Sequence, residues 1–477
     1  MNRRLHTLSA LLLWCMSMGS ALAQAPDTFA GPDAFEVVVE RYVAEGLRSN
    51  LALQGETLEV AKAAEALAVA RARFYPEVSM QSRYSRSEGG REFTLPLAAT
   101  LNPVYTTLNE QLTAQGQPPR FAGVSDVNIP FLRSSEQETR LSVRQPLFNP
   151  AIAAAVRAQS ALLDAGSYRR MALARTLRRD IVTAYVDWLN ASSSVEIVAA
   201  SEALLQENLR VNGSLFDNGK ITEDQVLRAK AELLEVEQQQ HDAANRAAQA
   251  QGYFNFLLNR DLRAPIDAAS FPDTQSQRDV ALETLWERAL ERRPELAQAE
   301  RLHRASVQQA TAAEQQRWPT LSLGFDAGTQ GEAYRFGQGF NFSTVSLVFT
   351  WRVFDAGADA SRVRQARASE RQLVLRGQEI AQQIRLEVQQ AFDRLRTARD
   401  SLVTAQARVE AASAAFRIAS RKRDEGVINQ VEFIDARSTL MRAELNYSLT
   451  RCSVLARRAE LEYATASGAL SIEPGTH

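Results

Sequence analysis

Residues 380–428 read IAQQIRLEVQQAFDRLRTARDSLVTAQARVEAASAAFRIASRKRDEGVI, and residues 173–221 read LARTLRRDIVTAYVDWLNASSSVEIVAASEALLQENLRVNGSLFDNGKI. In the former, apolar or alanine side chains fall at Ile380, Ile384, Val388, Ala391, Leu395, Ala398, Leu402, Ala405, Val409, Ala412 and Phe416. This spacing of fours and threes keeps one stripe of a helix apolar over many turns and predicts a coiled-coil seam. Stepping back 207 residues gives Leu173, Leu177, Ile181, Ala184, Trp188, Ala191, Val195, Val198, Glu202, Leu205 and Leu209, with Glu202 alone breaking the match. Each seam runs into a glycine turn, Asp217-Asn218-Gly219-Lys220-Ile221 and Asp424-Glu425-Gly426-Val427-Ile428, at the same offset. A register held over so many positions predicts a unit written twice, an internal two-fold repeat.

A further helix follows each turn. Val226, Ala229, Leu233, Val236, Ala243, Ala247 and Phe254 match Phe433, Ala436, Leu440, Ala443, Thr450, Val454 and Leu461, and only Thr450 weakens the correspondence. Prolines agree, because none of the fifteen falls between Ala151 and Ala264 or between Thr320 and Glu473, so both stretches can hold long helices. A helix from Ala151 to Val211 would extend roughly 90 Å at 1.5 Å per residue. Such a rod is much longer than a compact domain is wide.

Upstream of each rod lie short alternating segments bounded by proline or glycine, which predict strands. Glu77 to Arg86 puts Val78, Met80 and Tyr84 on one face, and Thr139 to Leu147 puts Leu141 and Val143 on one face. Leu321, Leu323, Phe325 and Ala327 alternate with Ser322, Gly324, Asp326 and Gly328, and the partner strand carries Val345, Leu347, Phe349 and Trp351. Tyr84, Phe349 and Trp351 suit either an interfacial aromatic girdle or ordinary core burial. The tip from Ser87 to Glu138, with Pro96, Pro103, Pro118, Pro119 and Pro130, reads as a long loop, and the tip from Gln330 to Gln338 as a short glycine-rich one.

These readings divide the chain as follows. Residues 1–23 are a signal peptide, with Arg3 and Arg4, an apolar run from Leu8 to Met18 and the small-x-small end Ala21-Leu22-Ala23. Cys15 is read as part of the discarded peptide, since bulky Trp14 stands where lipoprotein signals carry a small residue. Residues 24–258 form a first repeat (helix, β-hairpin 77–147, helical hairpin 151–258), 259–281 an equatorial linker, 282–468 a second repeat (helix, β-hairpin 320–352, helical hairpin 358–468), and 469–477 a tail.

Lys and Arg number 55 against 56 Asp and Glu, without long single-sign blocks, so nucleic acid is not expected as a partner. Once the signal is removed only Cys452 remains, and no intrachain disulfide can form. No later stretch offers about 18 continuous apolar residues, so a membrane crossing would be made with strands. Four strands of about ten residues are long enough to cross a bilayer on a tilt but cannot close a lumen, and an open edge in lipid leaves backbone groups unpaired at several kcal/mol each. The chain must therefore oligomerise. Three copies would close a twelve-stranded β-barrel, four strands per chain, continued by a long α-helical barrel. The fold class is mainly α with a membrane β-barrel portion.

The doubled plan, together with Gln145-Pro146-Leu147-Phe148-Asn149-Pro150 and Trp351-Arg352-Val353-Phe354-Asp355-Ala356-Gly357 at the strand-to-rod junctions and the two glycine turns, resembles the TolC family of outer-membrane efflux proteins over essentially the whole mature chain. The resemblance implies a homotrimeric, passive outer-membrane channel with a long periplasmic extension. It also implies two partners, a periplasmic adaptor (membrane fusion) protein and an inner-membrane RND or ABC transporter, in efflux or type I secretion.

That family narrows its tunnel with acidic side chains just after the second glycine turn, and the matching positions are Glu432 and Asp435. Threefold symmetry would gather these carboxylates in one ring that attracts cations. Asn429 followed by Glu432 is equally a capping pattern, and acids suit a helix N-terminus. In the first repeat the aligned positions are Gln225 and Arg228, with Thr222 and Gln225 offering the same cap. The family's closing tyrosine and arginine are replaced by Arg423 and Ile428, so its latch differs or is absent here. Arg421, Lys422 and Arg423 stand where they could pair with Asp217, and a solvated basic cluster is the default. Gly219, Gly426, Asp217, Asp424 and Arg423 mark the turns where the resemblance puts adaptor contact.

Enzyme readings find little to stand on. His241 and His303 are isolated, and Gly337-Gln338-Gly339 lacks the third glycine and following helix of a dinucleotide loop, so neither cofactor nor metal is expected. The rival classes are a soluble periplasmic coiled-coil adaptor or scaffold, which leaves four alternating strands without a use, and a secreted helical enzyme.

Overall fold

The computed structural model describes residues 34–272, 280–468 and 470. The signal peptide expected over 1–23 and, Leu470 apart, the tail expected over 469–477 lie outside the described residues. So do residues 273–279 of the expected linker.

Two rods dominate the molecule. Helix α4 (Pro150–Asp217) has 68 residues and α8 (Ala358–Asp424) has 67, each about 100 Å long at 1.5 Å per residue. Their returning partners are α5 (Glu223–Leu257) and α9 (Gln430–Ala464). Pro150 opens α4 at a position where its missing N–H costs nothing. At the start of α8 the Asp355 carboxylate accepts from the backbone N–H groups of Gly357 (3.1 Å) and Asp359 (2.7 Å). The predicted seam is buried along α8 at Ile384, Val388, Ala391, Leu395, Ala398, Leu402, Ala405 and Ala412, and along α4 at Leu177, Ile181, Ala184, Val198 and Leu205.

Shorter helices clamp the rods from their middle up to the end that meets the sheet. These are α1 (Phe35–Ser49) and α2 (Leu51–Ala72), with α6 (Leu282–Arg292) and α7 (Pro294–Gln315). Phe35, Tyr42, Ile181, Tyr185, Phe254 and Leu258 form the main core, with the Tyr42 and Phe254 rings edge to face at 5.0 Å. The linker is pinned there. Tyr185 donates to the Asp267 carbonyl (2.8 Å), the Asp267 N–H donates to Tyr42 (2.8 Å), and Arg41 pairs with its carboxylate at 2.6 Å. A second core sets Leu285 and Ala289 of α6 against Ile384, Val388 and Ala391. Arg293, nearly solvent-free, joins it by ion pairs to Glu295 (2.9 Å) and Glu387 (3.1 Å).

Beyond the clamps one antiparallel sheet runs in the order β1-β4-β5-β6, from β1 (Glu77–Arg86), β4 (Ser135–Phe148), β5 (Thr320–Gly331) and β6 (Asn341–Thr350). The two strand pairs are joined by β4 on β5, leaving β1 and β6 as edges. The register Met80↔Leu141↔Ala327 and Leu323↔Leu347 collects the apolar alternates on one face. The other face is polar: Arg83 pairs with Glu138 at 3.0 Å, and Arg140 lies 3.6 Å from Glu138 and 3.9 Å from Asp326. Tyr84, Phe349 and Trp351 are all exposed, which removes burial within the chain as their account. Trp351 lies just past β6, its indole N–H donating to the Arg317 carbonyl at 3.2 Å.

The tip between β1 and β4 corrects the expected long loop. It holds a two-stranded ribbon, β2 (Glu92–Leu95) with β3 (Val127–Pro130), and an 18-residue helix, α3 (Leu97–Ala114), that contains Pro103. Pro103 is the seventh of the 18 residues of α3, and it is this proline, with those on either side of the helix, that makes the segment read as a loop.

Candidate gate at the helical tips

Both rods end in the same backbone device. At the first tip the Gly219 N–H donates to the Phe216 carbonyl (2.8 Å) and the Lys220 N–H to Leu215 (2.9 Å). At the second, Gly426 donates to Arg423 (2.9 Å) and Val427 to Lys422 (2.8 Å). This pair of bonds closes a Schellman turn, which needs a left-handed residue after the cap. Gly219 and Gly426 supply it with φ of 68° and 71°. Nothing lies near either α-carbon, so the glycines are required by conformation, not by space. Asp217 and Asp424 close their helices with exposed side chains.

The starts of the returning helices differ. The Asn429 side chain accepts from the Glu432 N–H at 2.9 Å, a true N-cap. Thr222 makes no cap bond, and its hydroxyl instead donates to the Asp224 carboxylate. Glu432 and Asp435 stand one turn apart near the start of α9, both exposed. Among the described residues neither carboxylate has an ion-pair partner.

Arg423 does not reach Asp217. Its guanidinium donates to Asn208 Oδ1 at 3.1 Å, pairs with Asp424 at 3.2 Å and lies 3.9 Å from the centre of the Phe433 ring. The reason is directional: helical side chains lean toward their own N-terminus, here away from the tip. Arg423 therefore meets α4 more than two turns above Asp217.

A buried polar knot surrounds this contact that the residue pattern did not single out. The Asn212 side-chain amide donates to the Asn208 carbonyl at 2.7 Å, and both asparagines are buried. Phe416 and Phe433 lie 5.7 Å apart. Arg437 lies under them, 3.9 Å from Glu444, and burial holds its guanidinium below the usual arginine range against the opposing pull of Glu444. Asn208 Nδ2, Gln430 Nε2 and Arg437 Nε are buried without partners. Such groups cost free energy while the helices stay together, so the knot is a place where a small change could part them. The available sequence signals were the i,i+4 pair Asn208 and Asn212 beside the seam, and Arg437 one turn after Phe433 on the buried stripe.

The fold has close counterparts among solved structures. The Campylobacter jejuni CmeC outer membrane channel superposes with a TM-score of 0.74 at 16% identity, over 96% of this chain and 94% of that one. The outer-membrane channel OprN gives 0.71 at 19%, over 91% and 90%. The open state of the Neisseria gonorrhoeae MtrE outer membrane channel gives 0.70 at 15%, over 90% and 88%. At these identities the likeness is one of fold. A search of curated proteins found no match. The model describing outer membrane efflux proteins, however, matches residues 43–260 and 285–467, which between them take in both rods, both returning helices and the whole sheet. The chain belongs to the outer membrane efflux protein family.

Proposed function

We propose that this protein is the outer-membrane channel of a tripartite efflux pump or a type I secretion system, a passive duct between a periplasmic adaptor and the exterior. The observation that carries the reading is the sheet. It has one apolar face, one charged face and two unpaired edges, and it is continuous with rods about 100 Å long. In water an apolar face of that size is a liability, and two open edges invite association. In a bilayer the same face meets lipid, and edge-to-edge pairing of three copies satisfies β1 and β6.

The α-helical rods continue the duct below the membrane, and an RND or ABC transporter of the inner membrane supplies the energy through the adaptor. Glu432 and Asp435, brought together by symmetry, form a cation-attracting ring at the periplasmic end, and Gly219 and Gly426 shape the turns that the adaptor grips. The knot around Arg423 holds the tips closed until the adaptor engages.

Detergent-purified protein added to planar bilayers is expected to give discrete, voltage-tolerant conductance steps. Protein that stays folded in water without amphiphile and conducts nothing would favour the soluble scaffold and reject the channel.

A further inference from the structure

Strands β1 and β4 do not meet in a tight turn. Past Arg86 and Ser135 the ribbon continues, with Ser87 N–H donating to the Ser134 carbonyl (3.1 Å) and Phe131 N–H to Arg91 (2.9 Å), into β2 and β3. Helix α3 follows and the chain returns through residues 115–126. This insertion leaves the end of the sheet opposite the rods, because β1 is entered from α2 and β4 runs on into α4.

The insertion is built, not loose. Asn109 Oδ1 accepts from the Arg120 (3.0 Å) and Phe121 (3.1 Å) N–H groups, and its amide donates to the Phe121 carbonyl at 2.7 Å. Asn102 does the same with both backbone groups of Val124, at 2.8 and 2.9 Å. Tyr105 and Phe121 stack at 5.5 Å. Yet α3 buries none of its side chains. Val104, Leu108, Phe121, Ile129, Phe131 and Leu132 are all exposed, Phe131 by 72%. A helix interrupted by Pro103 and a two-stranded ribbon, held only by a few side-chain bonds and one ring stack, bury little apolar area of their own, so a segment ordered to this degree needs a cover for that surface.

Charge and reach select the cover. Residues 87–134 carry Arg91, Arg120 and Arg133 against Glu88, Glu92, Glu110 and Asp126, or 3 − 4 = −1. That is the wrong sign for an anionic headgroup surface, which selects clustered lysine and arginine. Strand β1 is an edge of the sheet, so the pairing of β1 with β6 of the next copy that closes the barrel sets each insertion beside that copy's β5–β6 tip and spaces the three insertions evenly around one rim. Twelve strands about 4.8 Å apart and tilted about 40° enclose a circle roughly 24 Å across. Helix α3, about 27 Å long at 1.5 Å per residue, is long enough to span from that rim past the axis.

We propose that the insertions of neighbouring copies pack apolar face to apolar face over the outer mouth of the barrel, forming a cap that narrows the exit. This rests on the oligomeric channel read above, and the experiment separates the two. Leu108→Cys is introduced in the full chain and treated in native membranes with a short bismaleimide. Cys452 does not compete, being buried with its thiol pushed up to about 12 by that burial. A covalent band of two chains is expected, because one cysteine per chain and a two-armed reagent can join only pairs. Light scattering on the detergent-extracted variant reports the number of chains. A trimer without crosslinks overturns the cap and leaves the channel standing, whereas a monomer overturns both. Exchanging residues 91–131 for a short Gly-Ser turn, or the milder pair Val104→Ser and Leu108→Ser, each combined with Arg423→Ala so that the closed tip does not limit the current, is expected to raise single-channel conductance over Arg423→Ala alone, roughly twofold for the exchange. Unchanged conductance in an intact trimer contradicts the proposal.

Discussion

The Arg423 guanidinium, stacked on Phe433 and bonded to Asn208, joins α8, α9 and α4 within three turns of the tip. A cation–π contact and a charged hydrogen bond of this kind contribute about 1–2 kcal/mol together, allowing for partial exposure. Arg423→Ala should therefore shift the tip toward its open form about tenfold, since 1.4 kcal/mol is a factor of ten. Single-channel recording reads this directly as open probability, and an unaltered value would show that the contact does not hold the tip. The ring proposed for the acidic pair would act on permeation instead. Glu432→Ala with Asp435→Ala is expected to lower the preference for cations, seen as a reversal-potential shift toward zero in a salt gradient. Selectivity that does not move rejects the ring. The pair was legible by position alone. The partner of Arg423 was not, because Asn208 lies 215 residues away, and which turn of α4 faces it depends on how the rods are matched in height.

At the scale of the element, periodicity carried the reading where one face of a long segment repeats one job. Ile384, Val388, Ala391 and Leu395 follow a single stripe and are buried together. The strands alternate strictly enough to set Leu323 and Leu347 on the apolar side of their own strands, and the pairing joins them on one face of the sheet. The insertion escaped because its helix is short, contains Pro103 and buries none of its side chains, so no core imposed a period on it. The four-strand order also lay beyond local pattern, since β4 and β5 come from distant parts of the chain. The apolar face makes a sharp prediction. Leu347 is two-thirds exposed in the single chain. In water, Leu347→Arg would change stability by no more than about 0.5 kcal/mol. Facing lipid near the bilayer centre, it should cost about 2–4 kcal/mol. Urea titration of the assembled protein, followed by its resistance to sodium dodecyl sulfate, distinguishes these.

For the whole molecule, the open four-stranded sheet and the long rods state the same requirement. The apolar sheet face, the free β1 and β6 edges and the exposed Leu227, Leu234, Leu375 and Leu386 on the rods and returning helices are surfaces that neither one chain nor water can satisfy. Closure by three copies meets the strand count that an open lumen needs. Native mass spectrometry of the protein released from outer membranes in mild detergent tests this most directly. Three chains per particle, with no folded single chain, is the expected spectrum. A stable, folded particle of one chain would contradict it.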